Sequence, residues 1–322
     1  MTRFPALADL TAVRARIGDR VHQTPLLSAT KIGERVGARL HLKCENLQKT
    51  GSFKPRGVLN KISQLSDDER AAGVVTISAG NHAQALAWAA THLGVTATVV
   101  MPAAASRTKA DASRAYGAEV VLHGTVFEAF EKARELERDR GLTFIHPFDD
   151  PHIIAGAAGV GLEIVEQLDD VATIVVPIGG GGLIAGVAAA AKLSKPDVRV
   201  FGVEPEGAAA MRASVDAGRP VQLDVVNTIA DGLAPPMAGE LNYEYVERYV
   251  DDVVLVSDDE IRAAMEPLYT RARLVVEPSG AAALAALLAG RIPITPSDQV
   301  VAVLSGGNVD ASRLASLWND RT

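Results

Sequence analysis

The sequence predicts an α/β protein of two lobes, each a mostly parallel twisted sheet covered by helices. Three observations carry that expectation: short β-branched runs alternate with Ala- and Leu-rich helical patterns, no internal repeat recurs, and the alternation breaks once, at HPFDDP (146–151). Strands alternating with helices of about ten or more residues form βαβ units, whose crossovers cover both faces of a parallel sheet. Without a period of roughly 20–50 residues, solenoids and propellers are excluded.

Taken in order, a strand at 73–77 precedes a helix at 83–92, a strand at 96–100 precedes a helix at 109–116, and a strand at 119–122 precedes a helix at 126–140. After the HPFDDP break, where a lobe boundary falls, a strand at 173–176 leads into a helix at 183–193, a strand at 198–203 into another apolar helix, and a strand at 300–304 into LSGGN. The uncharged stretch 171–191 is long enough to cross a bilayer, but Pro177 and four consecutive glycines would strand backbone groups in lipid. It reads instead as buried strand, turn and helix. Charge clusters at 67–70, 131–140 and 258–260 read as solvated helix faces and caps.

The 322 residues are 48% hydrophobic and 22% charged, enough to bury a large core and unlike a disordered chain. A net charge of −7 leaves no basic footprint, so nucleic acid and anionic membranes are poor partners and small molecules are better ones. One cysteine, Cys44, excludes an intrachain disulfide and a cysteine-based zinc cluster, and suits a reducing compartment. Residues 1–20 carry charges throughout with no export signal, so the expected location is cytoplasmic. The seven histidines lack HExxH or other tight ligand spacing, so no catalytic zinc is expected.

Four segments carry chemistry. In TIVVPIGGGGLIAGVAAAAK (173–192) an apolar strand, a tetraglycine turn and an Ala-rich helix make an anion cradle: glycines admit a ligand to the backbone, and free N–H groups at the positive helix end favour phosphate. The same stretch contains a rival, because Gly180, Gly182 and Ala185 satisfy GxGxxA and Glu204 follows at a ribose-binding distance, as in a nicotinamide dehydrogenase. In SFKPRG, Lys54 opens a helix with Ser52 as expected N-cap and Pro55 in the first turn, and the positive end should lower the amine's pKa toward nucleophilic use. SAGNHAQ (78–84) repeats the strand, loop and helix logic with a cradle suited to a carboxylate, and LSGGN presents Ser305 at a strand end. Ser106-x-x-Lys109 and Lys49-Thr50-Gly51 echo penicillin-recognising serine enzymes, but in reversed order and without SDN.

SFKPRG, SAGNHAQ, GGGGLIAG, VEPSGAAALAALL and LSGGN, in this order, resemble the fold-type II pyridoxal phosphate enzymes, and within them the serine/threonine dehydratase and serine racemase group. The likeness runs from about Thr24 to Val309. It implies a large cofactor domain of residues 1–72 and 149–322, a small mobile substrate-closing domain of residues 73–148, and a homodimer. By resemblance, Lys54 is the lysine that binds the cofactor's aldehyde and Phe53 packs near its ring. Gly179, Gly180, Gly181 and Gly182 form the phosphate cup, Asn81 meets the cofactor's 3′-oxygen, and Gly232 completes the set. Ser78, Ala79, Gly80, Asn81 and His82 form the substrate-carboxylate loop, with Ser78 catalytic beside Lys54. Ser305 faces the pyridine nitrogen, and a neutral hydroxyl there favours loss of a β-substituent over transamination. The implied activity converts L-threonine, L-serine or a related 3-hydroxy amino acid to a 2-oxo acid and ammonia. The alternatives are a serine or hydroxy-aspartate racemase or another β-eliminating lyase of the group.

Departures from the group sharpen this. Ala79 stands where racemases carry a proton-bearing serine, which favours dehydration. Glu204 and the Ala208 carbonyl are retained from a divalent-cation site, but Ala210 replaces its aspartate, so weak or absent magnesium dependence is expected. Ala157, Ala158 and Pro235 differ from the usual residues and are expected to reshape the pocket around the β-substituent. The short stretch after Ser305 leaves no regulatory domain, and feedback by isoleucine is not expected.

Overall fold

The apolar runs become the strands of two separate sheets. The computed structural model describes residues 3–319; Met1 and Thr2, where the export-signal reading begins, lie outside them. The strands are β1 (Leu26–Ser28), β2 (Arg39–Cys44), β3 (Val74–Ile77), β4 (Ala97–Met101), β5 (Glu119–Leu122), β6 (Thr143–Phe144), β7 (Val171–Pro177), β8 (Arg199–Pro205), β9 (Asp252–Val256) and β10 (Gln299–Leu304). Six form a sheet in the order β1-β2-β10-β7-β8-β9, and four form a second sheet in the order β5-β4-β3-β6. Every pairing is parallel except β1 with β2. The smaller sheet is built wholly from residues 74–144.

Parallel strands buried on both faces are near-continuously apolar, and β7 and β10 are so apart from Thr173 and Gln299: Ile174, Val175, Val176, Val300, Val301 and Val303 are all fully buried. Each such side chain contributes about 1.5–3 kcal/mol on transfer from water. The stretch that imitates a membrane span folds as β7, a turn and the helix Gly182–Ser194. Among the described residues no helix is long and apolar enough to cross a membrane.

That helix packs on the helix Pro151–Gln167 at backbone contact. A Cβ on Gly186 would lie 2.4 Å from the Ile154 carbonyl and 2.6 Å from the Ala158 nitrogen, so a side chain there would force the pair apart. Ala157 and Ala158 are consumed by this interface, 1% and 0% exposed, and do not line the cavity described below. The expectation that they reshape the substrate pocket is therefore corrected: helix packing explains their small size.

Beneath the helix Lys54–Ile62 lies a charge cluster that the sequence reading did not find. The Arg56 guanidinium grips Glu45 (Nε to Oε2 2.8 Å, Nη2 to Oε1 2.9 Å) and Glu163 (Nη1 to Oε1 2.6 Å, Nη2 to Oε2 2.9 Å). Lys43 Nζ donates to the same Glu163 at 2.6 Å. All four side chains are buried, and two cations balance two anions. The cluster joins β2, the helix carrying Lys54 and the helix Pro151–Gln167 two residues from Lys54. The surface clusters behave as expected: Ser66 and Ser257 cap their helices, with Glu69 and Glu260 completing capping boxes.

Candidate active site

In open parallel sheets, ligands bind beyond the carboxyl ends of the strands. Here those ends, β7 and β10 of the larger sheet and β3 of the smaller, face a cavity of about 770 Å³. Its lining contains Phe53, Lys54, the loop 78–82, the four glycines 179–182, Gly232 and Ser305. Segments far apart in sequence thus meet in one space.

Lys54 is the first residue of its helix, with Pro55 in the first turn as expected. The cap is different. Ser52 is extended and bridges Gly306, Phe53 takes the cap position, and the buried Ser52 Oγ has no partner among the described residues. The segment is instead held by Phe53 N–H donating to the Ser305 carbonyl at 3.1 Å, which fastens the lysine to the end of β10. Lys54 Nζ donates to the Pro147 carbonyl at 2.8 Å and lies 5.0 Å from the Phe53 ring centre. Its pKa is lowered to about 8, as the sequence suggested, but the cause is burial of the ammonium, partly opposed by Glu277. An amine with that pKa keeps about a tenth of its population unprotonated at neutrality, far more than an ordinary lysine does.

The tetraglycine turn follows β7. Gly181 takes φ +97°, a left-handed conformation that a side chain would strain, and caps the helix Gly182–Ser194. The turn is walled from behind: a Cβ on Gly180 would lie 2.4 Å from the Phe148 ring, and one on Gly179 3.0 Å from the Gly232 carbonyl. The amides of Gly179, Gly180, Gly181 and Gly182 donate to no acceptor among the described residues, which leaves a nest of N–H groups at a helix N-terminus.

Across the cavity, the loop after β3 leads into the helix Asn81–His92. Ser78 N–H is tied to the Val100 carbonyl and Gly80 N–H to Ser78 Oγ. The amides of Ala79, Asn81 and His82 have no acceptor among the described residues. Asn81 is fixed at both ends: its Nδ2 donates to Glu277 Oε1 at 2.6 Å, and its Oδ1 accepts from Asn308 Nδ2 at 2.8 Å. Burial raises the Glu277 carboxyl to about 7. Glu277 and Asn308 were missed as site residues, although both lie inside segments, VEPSG and LSGGN, that the sequence singled out. The His82 ring turns inward to Thr76 Oγ1 (3.1 Å) and the Ile145 carbonyl (3.4 Å), and burial holds its pKa well below the usual value. It therefore offers the cavity a backbone amide and a neutral ring.

At the far end, Ser305 follows β10 and is 5% exposed, and Ser279 Oγ accepts from Gly232 N–H at 2.8 Å. Glu204 is elsewhere. Its carboxylate accepts from the amides of Met211 and Arg212, both at 2.8 Å, and so caps the helix Ala210–Ala217; burial raises it to about 8. It is fully buried and outside the cavity, which overturns the ribose-binding role and with it the nicotinamide alternative. Among the described residues no His, Cys, Asp and Glu group is arranged to hold a metal, and Ala210 brings no oxygen to Glu204.

The residues present suit a phosphorylated aromatic aldehyde. Free amides stand where a phosphate needs donors, a part-neutral amine is ready to bond an aldehyde, and a hydroxyl lies at the end of β10. Fold and site together define an enzyme built around such a cofactor. The chain belongs to the pyridoxal-phosphate dependent enzyme family, which it matches over residues 17–306. It is 44% identical over 314 residues to the L-threonine ammonia-lyase of Thermotoga maritima, covering 97% of this chain and 78% of that one. The catabolic L-threonine dehydratase TdcB of Escherichia coli K12 is also 44% identical, over 97% of this chain and 95% of its own. The structure of maize serine racemase superposes with a TM-score of 0.93 at 39% identity, covering 99% of this chain and 97% of that one.

Proposed function

We propose that the protein is a pyridoxal-phosphate-dependent ammonia-lyase that removes the β-hydroxyl of L-threonine, L-serine or a related 3-hydroxy amino acid, yielding a 2-oxo acid and ammonia. The carrying observation is the buried amine of Lys54, with its pKa lowered to about 8, in a cavity whose substrate loop bears Ala79 in place of a proton-bearing side chain. When bound, pyridoxal phosphate supplies a ring that accepts the electron pair left as Cα loses its proton.

The chain's own groups do the rest. The amides of Gly179, Gly180, Gly181 and Gly182 would hold the phosphate, and Ser305 would give the ring nitrogen a neutral partner. The free amides of Ala79, Asn81 and His82, with Ser78 Oγ, receive the substrate carboxylate. Asn81, held between Glu277 and Asn308, would offer its remaining Nδ2 hydrogen to the cofactor's ring oxygen. Lys54 takes the proton from Cα as general base; its amine is a competent acceptor near neutrality because burial removes part of the usual ammonium stability. No group at position 79 returns a proton on the other face, so elimination outruns racemisation. The cavity lining includes the apolar Ile229, Leu233 and Pro235, which would suit a methyl on the β-carbon, beside Asp231, which pairs with Lys109 and Arg313.

The test is a product assay. Protein loaded with pyridoxal phosphate is offered a panel of 3-hydroxy amino acids, with 2-oxo acid, ammonia and enantiomer followed together. Stoichiometric 2-oxo acid and ammonia with little enantiomer supports the reading; rapid interconversion of L- and D-serine defeats it. By resemblance the proposal includes a homodimer, testable by light scattering. A reducing, cytoplasmic location suits the one buried thiol, Cys44, which burial raises to about 12.

A further inference from the structure

The tetraglycine turn is bonded by one side chain outside every segment discussed so far. Asn242 lies in the first turn of the helix Glu240–Tyr249 and is fully buried. Its Nδ2 donates to the Gly180 carbonyl at 2.7 Å and to the Phe148 carbonyl at 3.2 Å. Because both neighbours are acceptors, the amino end must face them. The Oδ1 is buried without a partner among the described residues, a cost that the two donated bonds must outweigh.

The same Gly180 carbonyl accepts a second bond, from Gly239 N–H at 3.0 Å. In a planar trans peptide the carbonyl of one residue and the N–H of the next point in opposite directions. Drawing the Gly180 carbonyl toward the helix Glu240–Tyr249 therefore turns the Gly181 N–H away from that helix, on the side of the cavity that Gly181 lines. Asn242 also packs under Gly181, where a Cβ would meet its own Cβ at 2.8 Å.

Asn242 is in turn held by Asp149, whose carboxylate accepts from the amides of Glu240 (3.0 Å), Leu241 (3.1 Å) and Asn242 (3.3 Å). Asp149 belongs to the short strap 146–149. The Pro147 carbonyl of that strap takes the Lys54 amine, and its Phe148 ring backs Gly180. One strap thus touches both the amine and the glycine turn.

We propose that Asn242 is a positioning residue for the cofactor's phosphate: it fixes the Gly180–Gly181 peptide so that amide donors face the cup, with Asp149 setting its place. This rests on the reading of the tetraglycine turn as a phosphate cup. The experiment titrates full-length apoprotein with pyridoxal phosphate and, separately, with pyridoxal, which lacks the phosphate, following the absorbance band near the visible edge. It uses wild type, Asn242→Ala, Asn242→Asp and Asn242→Ser, with apoprotein thermal unfolding measured alongside.

The expected result is that Asn242→Ala weakens pyridoxal phosphate binding about tenfold, the value of two lost hydrogen bonds. Asn242→Asp, which sets an acceptor against two carbonyls, should weaken it further, and Asn242→Ser, which keeps one donor, should fall between wild type and Ala. Pyridoxal affinity should stay within about twofold in all of them. Equal loss of both ligands, or no loss of either, overturns the inference even if wild type prefers pyridoxal phosphate. A wild type that binds both ligands equally removes the cup itself, and the inference falls with it.

Discussion

Two turns in this molecule share one local plan and differ in what stands behind them. Gly179–Gly182 follows β7, the loop 78–80 follows β3, and each ends a buried parallel strand and opens an Ala-rich helix with unpaired amides toward the cavity. The first is packed from the rear: the Phe148 ring leaves no room for a Cβ on Gly180, and Gly181 is left-handed. The second is open, since a Cβ on Gly80 would meet nothing within 4 Å, and its φ of −136° is available to any residue. A walled turn makes a rigid cup for a resident group. An open one makes a loop that can adjust to a transient substrate.

The largest expected effect comes from inserting one methyl into each turn. Gly180→Ala should overpack the Phe148 contact by about 1–3 kcal/mol, weakening pyridoxal phosphate binding by about 10- to 100-fold in apoprotein titrations. Gly80→Ala should leave cofactor affinity within about twofold and act, if at all, on KM. Equal effects at the two glycines would erase the contrast.

Lys54 lies between the turns, and its amine sharpens the comparison through pH. With its pKa lowered to about 8, the rate at which apoprotein takes up the cofactor aldehyde should rise about tenfold per pH unit below that value and level off above it. Stopped-flow uptake measures this; a rate still climbing toward pH 10 would mean an ordinary exposed lysine. A smaller effect is expected in the open loop, where Ala79→Ser restores a proton-bearing side chain. Racemisation of serine should rise several-fold relative to elimination, while cofactor affinity stays unchanged; an unaltered partition, read by chiral chromatography, would discard the role given to position 79. The smallest effect concerns metal: because Glu204 uses its oxygens to cap a helix and Ala210 supplies none, exhaustive chelation should leave activity within about twofold. Strict dependence on magnesium would contradict that.

The contrast between the turns was partly legible in the sequence. The strand Glu119–Leu122 and the helix Val126–Arg140 have the expected limits, and the strand-turn-helix segments were identified because glycines between apolar runs have few other uses. Strand β2 was not: RLHLKC carries Lys43, whose charge is buried against the distant Glu163 and Gln167 and the Thr24 carbonyl. Strands β1 and β6, of three and two residues, are too short to leave a periodic pattern. Which glycine is walled and which is open depends on Phe148, Leu233 and Asn242, residues brought in by tertiary packing, so no local pattern carried it. Ser52 failed as a cap for the same reason, since its bridge to Gly306 is a long-range contact.

The central claim is that Lys54 and the tetraglycine turn hold opposite ends of one cofactor. Borohydride reduction of protein loaded with pyridoxal phosphate, followed by peptide mass spectrometry, tests it most directly. A phosphopyridoxyl adduct on Lys54 alone, abolished by Lys54→Ala together with the absorbance band, is the predicted result. A label on another lysine, or an undiminished band in Lys54→Ala, would contradict the account.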